Sequence, residues 1–336
     1  MDELQPVLGF FGLGEQPFAA TADPTYFYAT RTHKECLYRL WHSIDERHGI
    51  AVVLGNYGTG KTTLLRKLLT GMRVDRERYN TAVIASPIPS WTSFALLERI
   101  VTQFGLHPSR RSFMAYMEAL NQYLLVNRDR VNTLIIDDSQ NLNKRGQLEL
   151  LRLAQNLETA QHKLLNLVFF SQLEWTQILQ AAPNFEQRIN MTFTLKGLSL
   201  EEAQQLIDFR LHQAGATEPV FDAEAVECIY AYSEGSPRVI VTLCRNTLLV
   251  AARTKTRTIG KDLVLHTIEK TTLPRRESRE RVAPAVSESA PPTPPQKEEA
   301  IEEAPPVEAA TPAVGQGMTR DERARQMLLR SARDRT

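Results

Sequence analysis

Gly55-Asn56-Tyr57-Gly58-Thr59-Gly60-Lys61-Thr62 fills every position of the pattern GxxxxGK[ST], and its flanks give the pattern physical meaning. The apolar run Ile50-Ala51-Val52-Val53-Leu54 before it reads as a buried strand, and Thr63-Leu64-Leu65-Arg66-Lys67-Leu68-Leu69 after it reads as a helix. A glycine-rich turn between strand and helix can aim consecutive backbone amides at phosphate oxygens, at the positive end of the helix. Gly55, Asn56, Tyr57, Gly58, Thr59, Gly60, Lys61, Thr62 and Thr63 are then the expected nucleotide cradle. Lys61 would reach the β- and γ-phosphates, and the hydroxyl of Thr62 would hold Mg²⁺. ATP and Mg²⁺ are the expected cofactors.

Outward from that stretch, residues 50–197 alternate short β-rich runs with amphipathic helices, which predicts a parallel sheet covered on both faces. Strands are expected at Ile50–Leu54, Thr81–Ser86, Thr133–Asp137, Leu165–Phe170 and Met191–Leu195. Helices are expected near Lys61–Met72, Ser93–Phe104, Phe113–Asn127, Lys144–Leu157 and Glu174–Gln180. The fold class is therefore α/β, a P-loop NTPase with a five-stranded parallel sheet. Residues 1–49 form an N-terminal segment with a first helix, expected to pack on the ATPase core. After Leu195 the strand signal stops. Ser199 and Glu202 have the spacing of a capping box, opening a helix through Leu206, Ile207 and Leu211. Further helices begin near Asp222, after Pro237 and near Gly260, so 198–274 reads as a small all-helical lid.

Residues 275–317 read as a linker. From about Val282 onward eight prolines interleave with Ala and Glu, without an aromatic residue. Such a segment cannot bury enough apolar surface to offset its ordering entropy, so it is expected to be disordered. Residues 318–336 regain helical character, with Met327-Leu328-Leu329 among Arg320, Arg323, Arg325, Arg330, Arg333 and Arg335. A docking helix for a partner and a frayed basic terminus are equally compatible with that pattern.

Forty basic side chains face thirty-nine acidic ones in 336 residues, so no global field recruits nucleic acid and any such binding must be local. Candidate basic groups are Arg110, Arg111, Arg128, Arg130, Arg253, Lys255 and Arg257. Cys36, Cys228 and Cys244 stand far apart, in no metal-ligand spacing, and read as buried thiols of a reducing compartment. The start Met1-Asp2-Glu3-Leu4-Gln5 lacks the basic and apolar regions of a secretory signal, and no stretch approaches the eighteen or so apolar residues that span a bilayer. The expectation is a cytoplasmic chain without direct membrane insertion.

Ile135-Ile136-Asp137-Asp138 ends an apolar strand where a P-loop enzyme needs carboxylates. Asp137 would hold the Mg²⁺ shell with Thr62, and Asp138 would orient or deprotonate the attacking water. The strand Leu165–Phe170 runs into Ser171-Gln172, a polar pair at the same sheet edge. That location suits a γ-phosphate sensor, with Gln172 favoured over Ser171.

Taken in order, Phe10-Phe11-Gly12-Leu13-Gly14-Glu15-Gln16-Pro17-Phe18, Asp23-Pro24 and His33, the P-loop, Ile135-Ile136-Asp137-Asp138-Ser139-Gln140-Asn141-Leu142, Glu186-Gln187-Arg188-Ile189 and Gly235-Ser236-Pro237-Arg238 resemble the motifs of ExeA/GspA-type AAA+ ATPases. That broad group includes the TnsC and MuB-like ATPases of transposition. The resemblance spans roughly Gly9 to Glu269. It implies that Arg188 is an arginine finger acting on a neighbouring subunit's ATP, and that Arg238 in the lid is a second sensor of the γ-phosphate. It also implies that Pro17-Phe18 lies near the adenine, where spacing alone shows an apolar anchor. The family usually carries Asp-Glu where this chain has Asp137-Asp138, so the carboxylate is one methylene, roughly 1.5 Å, short. Slow hydrolysis is the expected consequence.

The expected activity is ATP hydrolysis by a homo-oligomeric ring or filament that recruits a protein partner through its C-terminal tail. A DNA-transaction or transposition helper, with duplex DNA as a second partner, is the leading cellular reading. An envelope- or secretion-assembly ATPase is the alternative, and an ATP-binding scaffold with little turnover is a third.

Overall fold

A computed structural model describes residues 5–19 and 24–270. The expectations for the linker and for the basic C-terminal helix lie outside the described residues. All described residues belong to one compact unit, Met1–Arg275.

Five strands, β1 (Ile50–Gly55), β2 (Tyr79–Ile84), β3 (Val131–Ile136), β4 (Asn166–Ser171) and β5 (Ile189–Leu195), form one sheet in the order β2-β3-β4-β1-β5. All four pairings are parallel. Twelve α-helices are described: α1 (Gln5–Phe11), α2 (Arg31–Asp45), α3 (Lys61–Val74), α4 (Ser93–Gln103), α5 (Phe113–Val126), α6 (Arg145–Gln155), α7 (Trp175–Gln180), α8 (Pro183–Glu186), α9 (Leu200–Gln213), α10 (Ala223–Ser233), α11 (Pro237–Arg253) and α12 (Lys261–Lys270).

Period-two alternation divides the sheet's side chains between two cores. Ile50, Val52 and Leu54 of β1 join Leu134, Ile136, Leu167 and Phe169 in a cluster with Leu96, Leu97, Leu120, Leu148 and Leu151 from α4, α5 and α6. Ala51 and Val53 point the other way, with Ile135, Val168 and Phe170, onto Cys36, Leu40 and Ile44 of α2 and Leu64, Leu65 and Leu68 of α3. The patterns of the three central strands, β1, β3 and β4, are continuous because both faces are covered.

Strands β2, β3 and β5 begin two residues earlier than their sequence patterns suggest, and β3 stops one residue short of Asp137. The early starts of β2 and β3 take in asparagines, which ordinarily read as strand breakers. Asn80 and Asn132 bond each other at 2.7 Å, and the Asn132 amide also donates to Leu164 O at 3.1 Å. Asn166, which opens β4, accepts from Gly49 N at 3.2 Å and donates to Ile44 O at 3.0 Å. Tertiary partners make these polar side chains tolerable where local propensity disfavours them.

A third core holds the lid. Leu206, Ile207 and Leu211 of α9, Val226 and Ile229 of α10, Ile240, Leu243, Cys244 and Leu248 of α11, and Val264 of α12 share it with Val7, Leu13, Phe18 and Tyr26. This corrects the expectation that all of 1–49 packs on the ATPase core. Within residues 1–49, α2 and Phe27 pack on the sheet's core, whereas α1 packs against α11. Phe18 is fully buried and meets Phe221 edge-on at 6.3 Å, so its side chain is an anchor of the lid core and not a wall open to a base. Cys36 and Cys244 are buried, with burial pushing the Cys36 thiol up to about 12. Cys228 departs from expectation in being only half-buried.

Candidate functional site

In a parallel sheet all strands deliver their carboxyl ends to one edge, and here that edge gathers Gly55, Asp137 and Ser171. Between Gly55 and α3 the chain makes the tight turn its glycines allow. Gly58 and Gly60 have φ of 82° and 93°, and a Cβ on Gly60 would sit 3.0 Å from the imidazole of His33. Gly60 caps α3 without a side-chain hydrogen bond. The first amides of that helix are therefore open to an anion, reinforced by the helix dipole. Thr59 is buried, its hydroxyl donating to Asn56 O at 2.9 Å. Among the cradle residues it holds the loop together.

Lys61 is 8% exposed and donates from Nζ to Gly55 O at 2.8 Å and Asn56 O at 3.0 Å. Two of its three N–H donors are thus spent on the loop, leaving one for a phosphate. Burial lowers its pKa, while the negative charges of Asp137, Asp138 and Glu174 oppose that shift. Thr62 Oγ1 donates to Asp137 Oδ2 at 3.0 Å. Asp137 is 5% exposed, and burial pushes its carboxyl above the usual range. A buried carboxylate disfavoured by its surroundings, with a hydroxyl beside it, is an all-oxygen pair suited to a hard cation that keeps most of its own waters. Thr62 and Asp137 fit Mg²⁺.

Asp138 follows in a left-handed conformation, φ 51° and ψ 41°. Its Oδ1 accepts from Gln140 Nε2 at 3.1 Å. Gln140 Oε1 in turn accepts from Ser171 Oγ at 3.3 Å and from the backbone amide of Gln172 at 3.2 Å. The ends of β3 and β4 are therefore joined through one amide side chain. Sequence reasoning gave Gln140 no role, because its partners are its near neighbour Asp138 and residues 31 and 32 positions away. At the expected sensor, Ser171 contributes its buried hydroxyl and Gln172 its main chain to this junction.

The lid reaches the same edge. Arg238, second residue of α11, lies over the Tyr57 ring at 4.7 Å from its centroid. A Cβ on Gly58 would meet Ser236 Oγ at 2.7 Å and Arg238 Cβ at 3.0 Å. His33 ties the N-terminal segment to the loop, with Nε2 on Thr59 O at 3.1 Å and Nδ1 on the Thr30 hydroxyl at 2.8 Å. Burial lowers its pKa.

Arg188 stands apart. It precedes β5, whose Ile189 pairs with Ile50 while Leu195 pairs with Gly55. Arg188 is thus at the amino end of the sheet, a strand's length of roughly 16–20 Å from its own P-loop. It donates from Nη1 to Gln155 Oε1 at 3.1 Å and also to Asn156 Oδ1.

Several of the candidate basic groups have partners within the chain. Arg111 forms a two-point ion pair with Glu98 at 3.0 and 3.1 Å. Arg130 donates to the carbonyls of Arg76, Glu77 and Tyr79, and Arg257 lies over Phe10. Among the described residues, no helix is long and apolar enough to cross a membrane.

A family model described as AAA domain matches residues 44–179. General secretion pathway protein A of Aeromonas hydrophila is 33% identical over 266 residues, taking in 77% of this chain and 48% of that protein. The chain thus spans about half the length of this relative. Among solved structures, Cdc6p of Pyrobaculum aerophilum has a TM-score of 0.57 at 18% identity, covering 72% of this chain and 69% of that one. The ADP form of Aeropyrum pernix ORC2 gives 0.55 at 17%, covering 73% and 69%, and Drosophila ORC bound to DNA gives 0.53 at 20%, covering 79% and 65%. At such identities the likeness is one of fold.

Proposed function

We propose that this chain is an AAA+ ATPase of the ExeA/GspA type that binds ATP with Mg²⁺, hydrolyses it slowly, and works as an oligomeric switch for a protein partner. The observation that carries the reading is the meeting of Lys61, the open start of α3, the Thr62–Asp137 pair and Asp138 at one sheet edge. The amides of α3 and the Lys61 ammonium bind the phosphates. Thr62 and Asp137 would hold Mg²⁺, which would supply charge neutralisation to the bound phosphates. Asp138 accepts a proton from, or orients, the attacking water. Arg238 reports on the nucleotide from the lid, and Arg188 does so from an adjoining subunit, where its fork geometry suits phosphate oxygens.

Lys61→Ala tests the assignment directly. Loss of one charge-assisted bond predicts a roughly 10- to 100-fold weaker affinity for a slowly hydrolysed ATP analogue, read by titration alongside a thermal melt that verifies folding. Equal affinity in parent and variant would remove the P-loop reading.

For the cellular role, the relative's 33% identity favours an envelope- or secretion-assembly ATPase. The DNA-transaction and transposition reading rests on the motif resemblance to the group that includes the TnsC and MuB-like ATPases, and the in-chain partners of Arg111, Arg130 and Arg257 weaken it. Imaging the protein with the ATP analogue, with and without duplex DNA, separates the two. DNA-dependent assembly would restore the nucleic-acid reading.

A further inference from the structure

We propose that Gln140 is a positioning residue for hydrolysis, an amide clip that fixes the Asp138 carboxylate and ties it to the end of β4. The inference rests on the ATPase reading above and extends it to a residue outside the nucleotide cradle.

The direction of the clip follows from chemistry. The Asp138 carboxylate, when ionised, can only accept, and the Gln172 backbone amide can only donate. Gln140 therefore presents Nε2 to Asp138 Oδ1 (3.1 Å) and Oε1 to Gln172 N (3.2 Å) and Ser171 Oγ (3.3 Å). A flipped amide would face donor to donor at one end and acceptor to acceptor at the other. The short helical turn Ser139–Asn141 that carries Gln140 is itself pinned at both ends. Ser139 Oγ donates to Ile136 O at 2.9 Å, and the fully buried Trp175 donates its indole N–H to Leu142 O at 3.2 Å. A half-buried amide on so constrained a base has little freedom to lead Asp138 elsewhere.

The clip supplies what a short side chain lacks. Asp138 has few torsions with which to find the water, so its placement depends on backbone and partner. The backbone is set by φ 51°, and the partner is Gln140. Because the same amide accepts from Ser171 and Gln172, movement at the end of β4 is transmitted to the carboxylate through one side chain. The charged groups sharing this field are Asp137 and Asp138 at the end of β3, Lys61 in the loop, and Glu174 just before α7.

Two variants of the full-length protein test it. Q140M removes both polar ends at similar length. It should lower kcat by about ten- to a hundredfold, the scale of a misplaced reacting group, while affinity for the ATP analogue stays within about twofold. Q140E keeps the shape and the acceptor facing Ser171 and Gln172 but turns the donor that faces Asp138 into an acceptor, and should lower kcat at least as far as Q140M with affinity again within about twofold. A merely structural glutamine would show in the thermal melt or in affinity and not in kcat alone. Values of kcat within twofold of the parent for either variant, or losses of kcat matched by losses of affinity, overturn the clip while a Lys61-dependent parent ATPase leaves the parent reading intact. A parent whose turnover is unaffected by Lys61→Ala sinks the ATPase reading itself.

Discussion

Asp138 joins a short side chain to a left-handed backbone, φ 51° and ψ 41°, and the two features belong together. Aspartate tolerates that conformation better than glutamate, since a short polar side chain can bond locally. Asp138→Glu should then cost up to about 1 kcal/mol of stability while adding roughly 1.5 Å of reach, so turnover is maintained or raised as the melting temperature drops slightly. Asp138→Asn keeps the shape and the bond from Gln140 but not the base, and should cut phosphate release about a hundredfold or more with nucleotide affinity unchanged. Unaltered turnover in the asparagine variant would mean another group prepares the water. The identities of Lys61, Thr62, Asp137 and Asp138 were legible because strand, loop and helix fix their order along the chain. The backbone twist at Asp138 and the Gln140 amide were not, because both depend on where β4 ends in space.

The elements of the lid show how far local chemistry goes. Ser199 Oγ accepts from Glu202 N at 3.1 Å, and Glu202 Oε2 accepts from Ser199 N at 3.1 Å, the reciprocal pair that the spacing foretold. Ser199→Ala leaves one helix donor without its partner and should destabilise the protein by about 1 kcal/mol, while Ser199→Thr should stay within a few tenths. Denaturant midpoints at constant m-value measure both, and an alanine variant as stable as the parent would show that water replaces the hydroxyl at no cost. Caps of this kind made α9 and α10 readable from the chain alone. The destination of the N-terminal segment was not readable in the same way. Phe18 and Leu13 are apolar anchors in any reading, and only their tertiary packing with the helices of the lid core places them away from the sheet.

For the whole molecule, the strand register makes a prediction about assembly. Ile189 pairs with Ile50, so Arg188 enters the sheet at the end opposite its own P-loop, farther than its side chain can extend. An arginine there that contributes to hydrolysis must do so on a neighbour's nucleotide, and its present bonds to Gln155 and Asn156 hold it at the start of β5, an edge strand. Arg188→Ala and Lys61→Ala subunits should each be nearly inactive alone. Mixed, they should regain activity, because some interfaces then pair an intact loop with an intact arginine, and parent specific activity should fall on dilution as subunits separate. Activity indifferent to concentration, with no gain on mixing, would leave Arg188 the simpler part it already plays, a strut between the end of α6 and the start of β5.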